Sequence, residues 1–372
     1  MYKKGLRIFC LILVLALITP TVASAQAQVL TQPQEFKADL QFFKEVLDYV
    51  VGNYPFEVNR SDLIESAIKG MLQSLDPYSN YYTKEEAQSM YSDLLGTFSG
   101  IGAYLEEKDG YVSIVSVMKG QPAEKAGLQK GDLIISVDGV DIKGFGVDKV
   151  SSMIKGEKGT KVILGIKRGN QTLTIEVVRD TIIINPVYYE ILEDNIGYIR
   201  LDSFNLYATS EVKKALDYFD SKNIKKIILD LRDNPGGLLS QAVAIARLFV
   251  PKGPIVYERR KNSSLTVYVS DLEKPKYDLV VLVNGYSASA SEILAGAVKV
   301  TKAGKLVGTK TYGKGTVQTV ITLIDGSILK LTVAEYLLPD KTSINGIGIE
   351  PDFIVENTDE DLQLMKAIEL LK

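Results

Sequence analysis

Three apolar runs, each followed by a turn and a helix-like segment, constrain the fold of this chain more than any other feature. They read "IGYIRL" at 196–201, "KKIILDLR" at 225–232 and "YDLVVLV" at 277–283. A strand that is apolar on both faces needs helices on both sides of its sheet, and such strands pair mainly in parallel. The sequence therefore predicts an α/β core of β-loop-α units at residues 181–356.

The segments before and after this core have other patterns. Apolar residues recur at three- and four-residue spacing before residue 95, which predicts helices, whereas short β-type runs separated by glycine turns follow. We predict an α+β multidomain protein with a helical region at 26–95, a partly open β-barrel with two helices at 96–180, the core, and a C-terminal amphipathic helix at 357–372.

The N-terminus resembles a secretory signal. Lys3, Lys4 and Arg7 precede the apolar stretch 8–18, and the small residues 23–25 follow it. The stretch is shorter than the ~20 residues of a membrane-spanning helix, so we expect cleavage after Ala25 rather than a retained anchor. The sequence predicts an exported protein of the periplasm, cell envelope or medium, which would lie near a membrane only if the signal stayed uncleaved.

Composition excludes several kinds of chemistry. The chain has no histidine, and its one cysteine, Cys10, lies in the predicted signal, so zinc sites of the usual ligands and thiol nucleophiles are not expected. The signal carries three positive and no negative charges, so its removal changes the formal charge from −3 to −6. We expect no metal, no cofactor and no nucleic-acid partner.

The stretch "GYSASASE" at 285–292 places three serines directly after an apolar run. Ser289 and Glu292 have the spacing of a capping box, so these residues have a purely structural interpretation as a helix start. The same geometry exposes N–H groups that can stabilise an oxyanion beside an attacking hydroxyl. A nucleophilic serine also needs a base, which histidine cannot supply here.

Lys314 is the candidate base, because burial can lower a lysine pKa far enough for this role. Gly313 and Gly315 flank it and allow a tight turn, and the Gln318 amide is placed to accept a hydrogen bond from its amine. A solvated turn lysine is the plain alternative. A phosphate-binding loop is disfavoured because Gly315 stands where that motif needs a hydroxyl.

The segment at 96–180 resembles a PDZ domain. The resemblance lies in "FSGIGAYL" at 98–105 and "GQPAEKAGLQKGDLIISVDGVDI" at 120–142. It implies that the loop of Gly100, Ile101, Gly102 and Ala103 receives the C-terminal carboxylate of a peptide, while an edge strand pairs with that peptide.

Four further motifs resemble the carboxy-terminal processing peptidases: "LDLRDNPGG", "SASASEILAGAVK", "TYGKGTVQ" and "GIGIEPD". The resemblance implies a ClpP/crotonase-like core and a serine–lysine endopeptidase that acts on proteins or peptides with free C-terminal tails. It assigns the nucleophile to Ser289, the general base to Lys314 and the orientation of that lysine to Gln318. The implied oxyanion hole is the N–H of Ala290 with that of Gly236 or Gly237.

The sequence thus predicts an exported endopeptidase that cuts protein substrates near their C-termini. The main alternative is a non-catalytic PDZ scaffold or adaptor that binds C-terminal peptides, and a non-proteolytic enzyme on a related core is a third. Helical segments at both ends of the chain are compatible with a homodimer.

Overall fold

The computed structural model describes residues 33–372, and the predicted signal at 1–25 lies outside them. The chain divides into two compact units between Ile68 and Lys69. Within the described part, no helix combines the length and the apolar character that a membrane crossing requires.

The first unit is helical, as the sequence predicts. Helix α1 spans Pro33–Asn53, and helix α2, Arg60–Gln73, begins in this unit. Large apolar side chains of α1 remain exposed, among them Phe42 at 68 % and Tyr49 at 71 %. The proposed homodimer contact through terminal helices stays a prediction.

After the end of helix α2, the second unit contains a strand that the sequence does not predict. Strand β1, Asn80–Tyr82, precedes helix α3, Lys84–Leu95, and pairs antiparallel with residues 328–330 of the core. Three residues are too few to show a β-type alternation. Their extended conformation depends on a partner strand far away in the sequence.

The PDZ segment forms an antiparallel sheet with the strand order β3-β4-β5-β7-β8, in which β6 pairs with β5. Strand β3 lies at the sheet edge, and β2 pairs with β9, so the two ends of the segment meet. Buried Ile114, Ile134 and Val150 belong to its core. The elements are β2 Thr97–Gly100, β3 Ala103–Lys108, β4 Tyr111–Val117, α4 Pro122–Lys125, β5 Leu133–Val137, β6 Val140–Asp141, α5 Val147–Ile154, β7 Lys161–Arg168, β8 Gln171–Val178 and β9 Asp180–Ile183.

The following elements contain the three apolar runs as strands β11, β12 and β15. They are β10 Val187–Leu192, β11 Ile196–Leu201, α6 Ala208–Ser221, β12 Lys226–Asp230, α7 Leu239–Ala246, β13 Gly253–Arg260, β14 Thr266–Ser270, β15 Asp278–Val283, α8 Ala290–Thr301, β16 Lys305–Gly308, β17 Thr316–Thr322, β18 Ile328–Leu337, β19 Phe353–Ile354 and α9 Leu362–Leu371.

The first core sheet has the order β10-β11-β12-β15-β16-β19 and is parallel except for β10. Alternate residues of β12 face opposite sides, since Ile227 and Leu229 pack in the core of α6, α7 and α8, and Ile228 packs in that of α9. Burial on both faces explains the continuous apolar runs. The predicted parallel sheet and the α+β multidomain class are confirmed.

A second core sheet has the order β1-β18-β13-β14, and β17 adds to β18. The motifs did not predict it, because its strands mix apolar with polar residues, as in "ILKLTVAEYL" of β18. This sheet carries Gln318 on β17 and receives residues 80–82 at its other edge.

Candidate active site

Two loops at the carboxyl ends of β12 and β15 form one site. These strands are parallel neighbours, so their following loops lie side by side. The Ala288 N–H donates to the Asn234 carbonyl at 3.1 Å, and the Asn284 amide donates to Asp233 at 2.8 Å. The structure thus brings the "DNPGG" and "GYSASASE" loops together.

The three serines have different partners. The Ser287 hydroxyl donates to the Leu231 carbonyl at 2.8 Å and the Ser291 hydroxyl to the Asn234 carbonyl at 2.9 Å. The Ser289 hydroxyl donates to none of residues 33–372, although the residue is only 9 % exposed. Two serines therefore fasten the loops together, and Ser289 is left with a transferable proton.

Ser289 is the residue that caps helix α8, in a conformation unusual for a residue with a side chain. Its φ is 57° and its ψ is −112°, and its N–H donates to the Glu292 carboxylate at 2.9 Å. Strained backbone of this kind persists only where its surroundings hold it, and it concentrates at functional sites. The helix-start interpretation and the nucleophile interpretation describe the same residue.

Glu292 connects the serine loop with the lysine loop. Its Oε2 accepts the N–H groups of Ser289 and Lys314, both at 2.9 Å. Its Oε1 accepts the Thr311 hydroxyl at 2.6 Å and the Gly313 N–H at 2.7 Å. The side chain is fully buried, so these four donors are its replacement for water. One carboxylate thereby fixes the backbone of Ser289 relative to that of Lys314.

Lys314 lines a cavity of about 470 Å³ together with Ala288, the neighbour of Ser289. Burial lowers the pKa of the Lys314 amine, and the charge of Lys330 lowers it further, while Asp76 and Glu292 act in the opposite direction. The amine lies 4.7 Å from the centroid of the Tyr78 ring and donates no hydrogen bond to the Ser289 hydroxyl. A half-buried amine of depressed pKa is the property that a lysine base requires.

Gln318 differs from the expectation drawn from its spacing. Its amide nitrogen donates to Thr316 at 2.9 Å and to Thr332 at 3.2 Å, and its side chain forms no hydrogen bond with Lys314. Thr332 lies directly opposite Gln318 in the pairing of β17 with β18, so its hydroxyl is the nearer partner. The expected Lys314–Gln318 hydrogen bond is therefore absent in this arrangement.

Of the two candidate glycines of the oxyanion hole, Gly236 lies beside Ser289. A Cβ on Gly236 would stand 2.9 Å from both the Ala290 nitrogen and the Ser289 Cβ. A Cβ on Gly237 would instead meet the Phe204 backbone at 2.6 Å. The Gly236 N–H donates here to the Asn234 side chain at 2.8 Å, so it must be shared or released to bind a substrate oxygen.

We expect Gly236→Ala to lower kcat/KM by about 100-fold or more, because its methyl group would fill the space beside the Ala290 N–H. The φ of 102° adds strain for any residue with a Cβ. The matched control is Gly70→Ala, where a Cβ meets nothing within 4 Å. Comparable kinetics for the two folded variants would show that this space is not used.

The four residues expected to bind a peptide carboxylate lie together in the PDZ segment. Gly100, Ile101, Gly102 and Ala103 line a groove of about 260 Å³ between β3 and α5. The remaining lining is largely apolar and includes Leu105, Met118 and Ile154. Lys155 also lines the groove, with its amine 5.3 Å from the centroid of the Phe98 ring. This groove combines an exposed strand edge, a glycine-rich loop and an apolar pocket.

The sequence motifs missed two parts of this site. The SxxE spacing marks Glu292 as a carboxylate that binds the backbone of its own helix start, but it does not indicate the bonds of Glu292 to the lysine loop. The pattern around Tyr78 contains no signal that its ring lies over Lys314. Only the fold brings it there.

Comparison with known proteins places the chain in a family. The profile of peptidase family S41 matches residues 195–355, that of the PDZ domain residues 113–168, and that of the activating protease CtpB N-terminal domain residues 16–86. The carboxy-terminal processing protease CtpA of Bacillus subtilis is 40 % identical over 366 residues, which cover 96 % of this chain and 78 % of that protein.

Two further comparisons agree with these matches. A probable CtpA-like serine protease of Staphylococcus epidermidis is 38 % identical and covers 93 % of this chain and 71 % of its own length. The structure of a photosystem II D1 C-terminal processing protease shares 30 % identity with a TM-score of 0.52, covering 89 % of this chain and 90 % of that one.

The fold and these matches define a serine-type peptidase with a PDZ domain. The chain belongs to the carboxy-terminal processing proteases of peptidase family S41. It is accordingly a protease that acts on the C-terminal regions of proteins.

Proposed function

We propose that this protein is an exported endopeptidase in which Ser289 is the nucleophile and Lys314 the general base. The observation that carries the proposal is the Glu292 carboxylate, which binds the backbone N–H groups of both residues at 2.9 Å. Export rests on the N-terminal basic, apolar and small-residue pattern.

The reaction follows from the residues present. The Ser289 oxygen attacks the carbonyl carbon of the scissile peptide, and the neutral Lys314 amine takes the hydroxyl proton. The carbonyl oxygen becomes an oxyanion beside the Ala290 N–H and the Gly236 turn. The C–N bond then breaks, the leaving amine receives the proton from Lys314, and the acyl group stays on Ser289. Water attacks this ester with Lys314 again as base, which releases the acid and restores the hydroxyl.

The PDZ groove supports the proposal that a substrate is held by its C-terminal tail. A free carboxylate fits the N–H groups of the 100–103 loop, and apolar terminal side chains fit the pocket beside Met118 and Ile154. A scaffold would also use this groove. It would have no need for a buried carboxylate that holds a serine and a lysine together.

The test uses three versions of one unfolded protein that differ only at the C-terminus. The first has an apolar tail with a free carboxylate, the second has the same tail with an amidated C-terminus, and the third has a charged tail. We expect fragments by mass spectrometry from the first substrate at a rate about ten times that of the others, because only it satisfies both parts of the groove. Tail binding to a Ser289→Ala variant should show the same order. Binding without any fragments from the unmodified protein would favour the scaffold, and equal rates for the three tails would contradict recognition by the groove.

A further inference from the structure

The ring of Tyr78 lies over the amine of the proposed base. The distance from Lys314 Nζ to the ring centroid is 4.7 Å, which is within the range of a cation–π interaction. Both residues line the cavity of about 470 Å³ beside the serine loop. Tyr78 precedes the PDZ segment in the chain, so it reaches the site from outside the two catalytic loops.

The turn that carries Tyr78 is firmly attached to strand β18. The Asp76 carboxylate accepts the N–H groups of Tyr78 and Ser79, at 2.8 and 2.9 Å, and the Thr332 hydroxyl at 3.2 Å. The Ser79 oxygen in turn accepts the Thr332 N–H at 3.1 Å. Strand β1 continues the attachment by pairing with β18. The position of the ring is therefore set by the core sheet.

This attachment also reaches Gln318. The Thr332 hydroxyl that donates to Asp76 accepts a hydrogen bond from the Gln318 amide at 3.2 Å. The proposed orienting residue thus shares a partner with the Tyr78 turn. In this arrangement, the ring of Tyr78 contacts the Lys314 amine and the Gln318 side chain does not.

The pKa shifts of Tyr78 and Lys314 indicate which of these two residues is suited to act as a base. Burial, and after it the neighbouring Tyr312, raise the pKa of Tyr78, whereas burial lowers the pKa of Lys314. Burial thus disfavours the phenolate of Tyr78 and favours the neutral amine of Lys314, so the lysine is the better suited of the two to act as the base. The ionisable groups that face Lys314 or line its cavity are Tyr78, Tyr286, Tyr312, Asp76, Glu292, Lys330 and Asp233.

We propose that Tyr78 is a positioning residue for Lys314. The aromatic face of Tyr78 holds the ammonium group that forms when Lys314 takes the proton of Ser289. This inference rests on the proposed function, in which Lys314 is the base. An aromatic face attracts the ammonium and has little attraction for the neutral amine. The ring therefore favours the protonated form and partly opposes the effect of burial, which keeps the pKa of Lys314 from falling further.

Two substitutions separate the ring from its hydroxyl. Tyr78→Leu removes the aromatic face and keeps an apolar side chain, and Tyr78→Phe keeps the face and removes the hydroxyl. The matched control is Tyr188→Leu on strand β10, where the tyrosine is 54 % exposed. Circular dichroism and the melting temperature verify that each variant is folded.

Competitive acetylation of the full-length protein with acetic anhydride, read by mass spectrometry of the peptide that contains Lys314, measures its titration against pH. We expect Tyr78→Leu to move the midpoint down by about half a pH unit, since the protonated form loses its attraction to the ring. Tyr78→Phe and Tyr188→Leu should leave it unchanged. The acidic limb of kcat/KM should move in the same direction, because deprotonated Lys314 would persist to lower pH.

An unchanged or raised midpoint in Tyr78→Leu would overturn the proposal, as would an equal shift in Tyr78→Phe. The labelling is also done in a Ser289→Ala background, where it does not depend on turnover. If Lys314→Ala stayed active while the labelling shift appeared, the proposed function would fail and the contact would stand. If Lys314→Ala were inactive but the labelling midpoint of Lys314 did not move in Tyr78→Leu, the proposed function would stand and the proposed role of Tyr78 would fail.

Discussion

Replacing Ser289 or Lys314 by alanine should lower kcat/KM by about 1000-fold or more, because the proposed nucleophile and its base would act as one unit. The double variant should be no worse than either single variant, because each change already disables the same step. The measurement is the initial rate of fragment formation from the unfolded substrate with a free apolar tail. Tail binding should be unaffected, since the PDZ groove is formed by other residues.

The controls are Ser263→Ala and Lys261→Ala, two exposed positions between β13 and β14. They make the same chemical changes away from the site and should retain full activity. Near-normal turnover of a folded Ser289→Ala or Lys314→Ala variant would remove the assignment. Because the proposed base must act in its neutral form and burial lowers the pKa of Lys314, we expect the activity of the unmodified protein to rise with pH through a midpoint below the pKa of a free lysine.

Replacing Glu292 by glutamine should be nearly as damaging, although this residue touches no substrate. A glutamine amide has one accepting oxygen, so its NH₂ group would face two of the four groups that now donate to the carboxylate. Each buried donor left unpaired costs about 1–3 kcal/mol. We therefore expect a lower melting temperature and a loss of kcat/KM of about 100-fold or more, as the serine and lysine loops lose their common attachment.

The exposed Glu273 provides the matched control, because Glu273→Gln makes the same change at a residue whose ion pair, with Lys252, lies at the surface. Activity is compared at a temperature where both variants are folded. This comparison separates misplacement of the two loops from simple unfolding. A folded Glu292→Gln variant with ordinary kinetics would mean that the carboxylate supports the fold and does not position Ser289 and Lys314.

Much of the architecture was predictable because burial leaves a pattern in the sequence. Strand β12 is apolar on both sides since Ile228 and Leu229 enter different cores, and this produced the continuous run that predicts a parallel sheet. The meeting of the "DNPGG" and "GYSASASE" loops followed from the same rule, since loops after neighbouring parallel strands share an edge.

Other features depended on contacts that no local pattern records. Strand β1 exists because residues 80–82 meet the edge of β18, and Tyr78 reaches Lys314 through that attachment. Spacing alone predicts that the Gln318 side chain contacts Lys314, because spacing takes no account of the Thr332 hydroxyl across the sheet. Such cross-strand partners are decided by register, which single positions do not reveal.

The position of Ser289 as the cap of helix α8 suits its proposed role as the nucleophile for a physical reason. A helix N-terminus leaves backbone donors without intrahelical partners, and the serine that begins the helix stands next to them. Glu292 satisfies the Ser289 N–H, which leaves the N–H of Ala290 as the first donor of the helix itself. The motif that starts a helix therefore also prepares a place for negative charge.

The pairing of β2 with β9 gives the PDZ segment a closed neck. The Ile184 N–H donates to the Gly96 carbonyl at 2.8 Å, so the chain leaves the peptidase part and returns to it at almost the same point. A domain whose two ends lie side by side can be exchanged for another peptide-binding domain through two neighbouring junctions, in evolution or by engineering. The two loops of the proposed active site, which follow β12 and β15, would keep their connections throughout such an exchange.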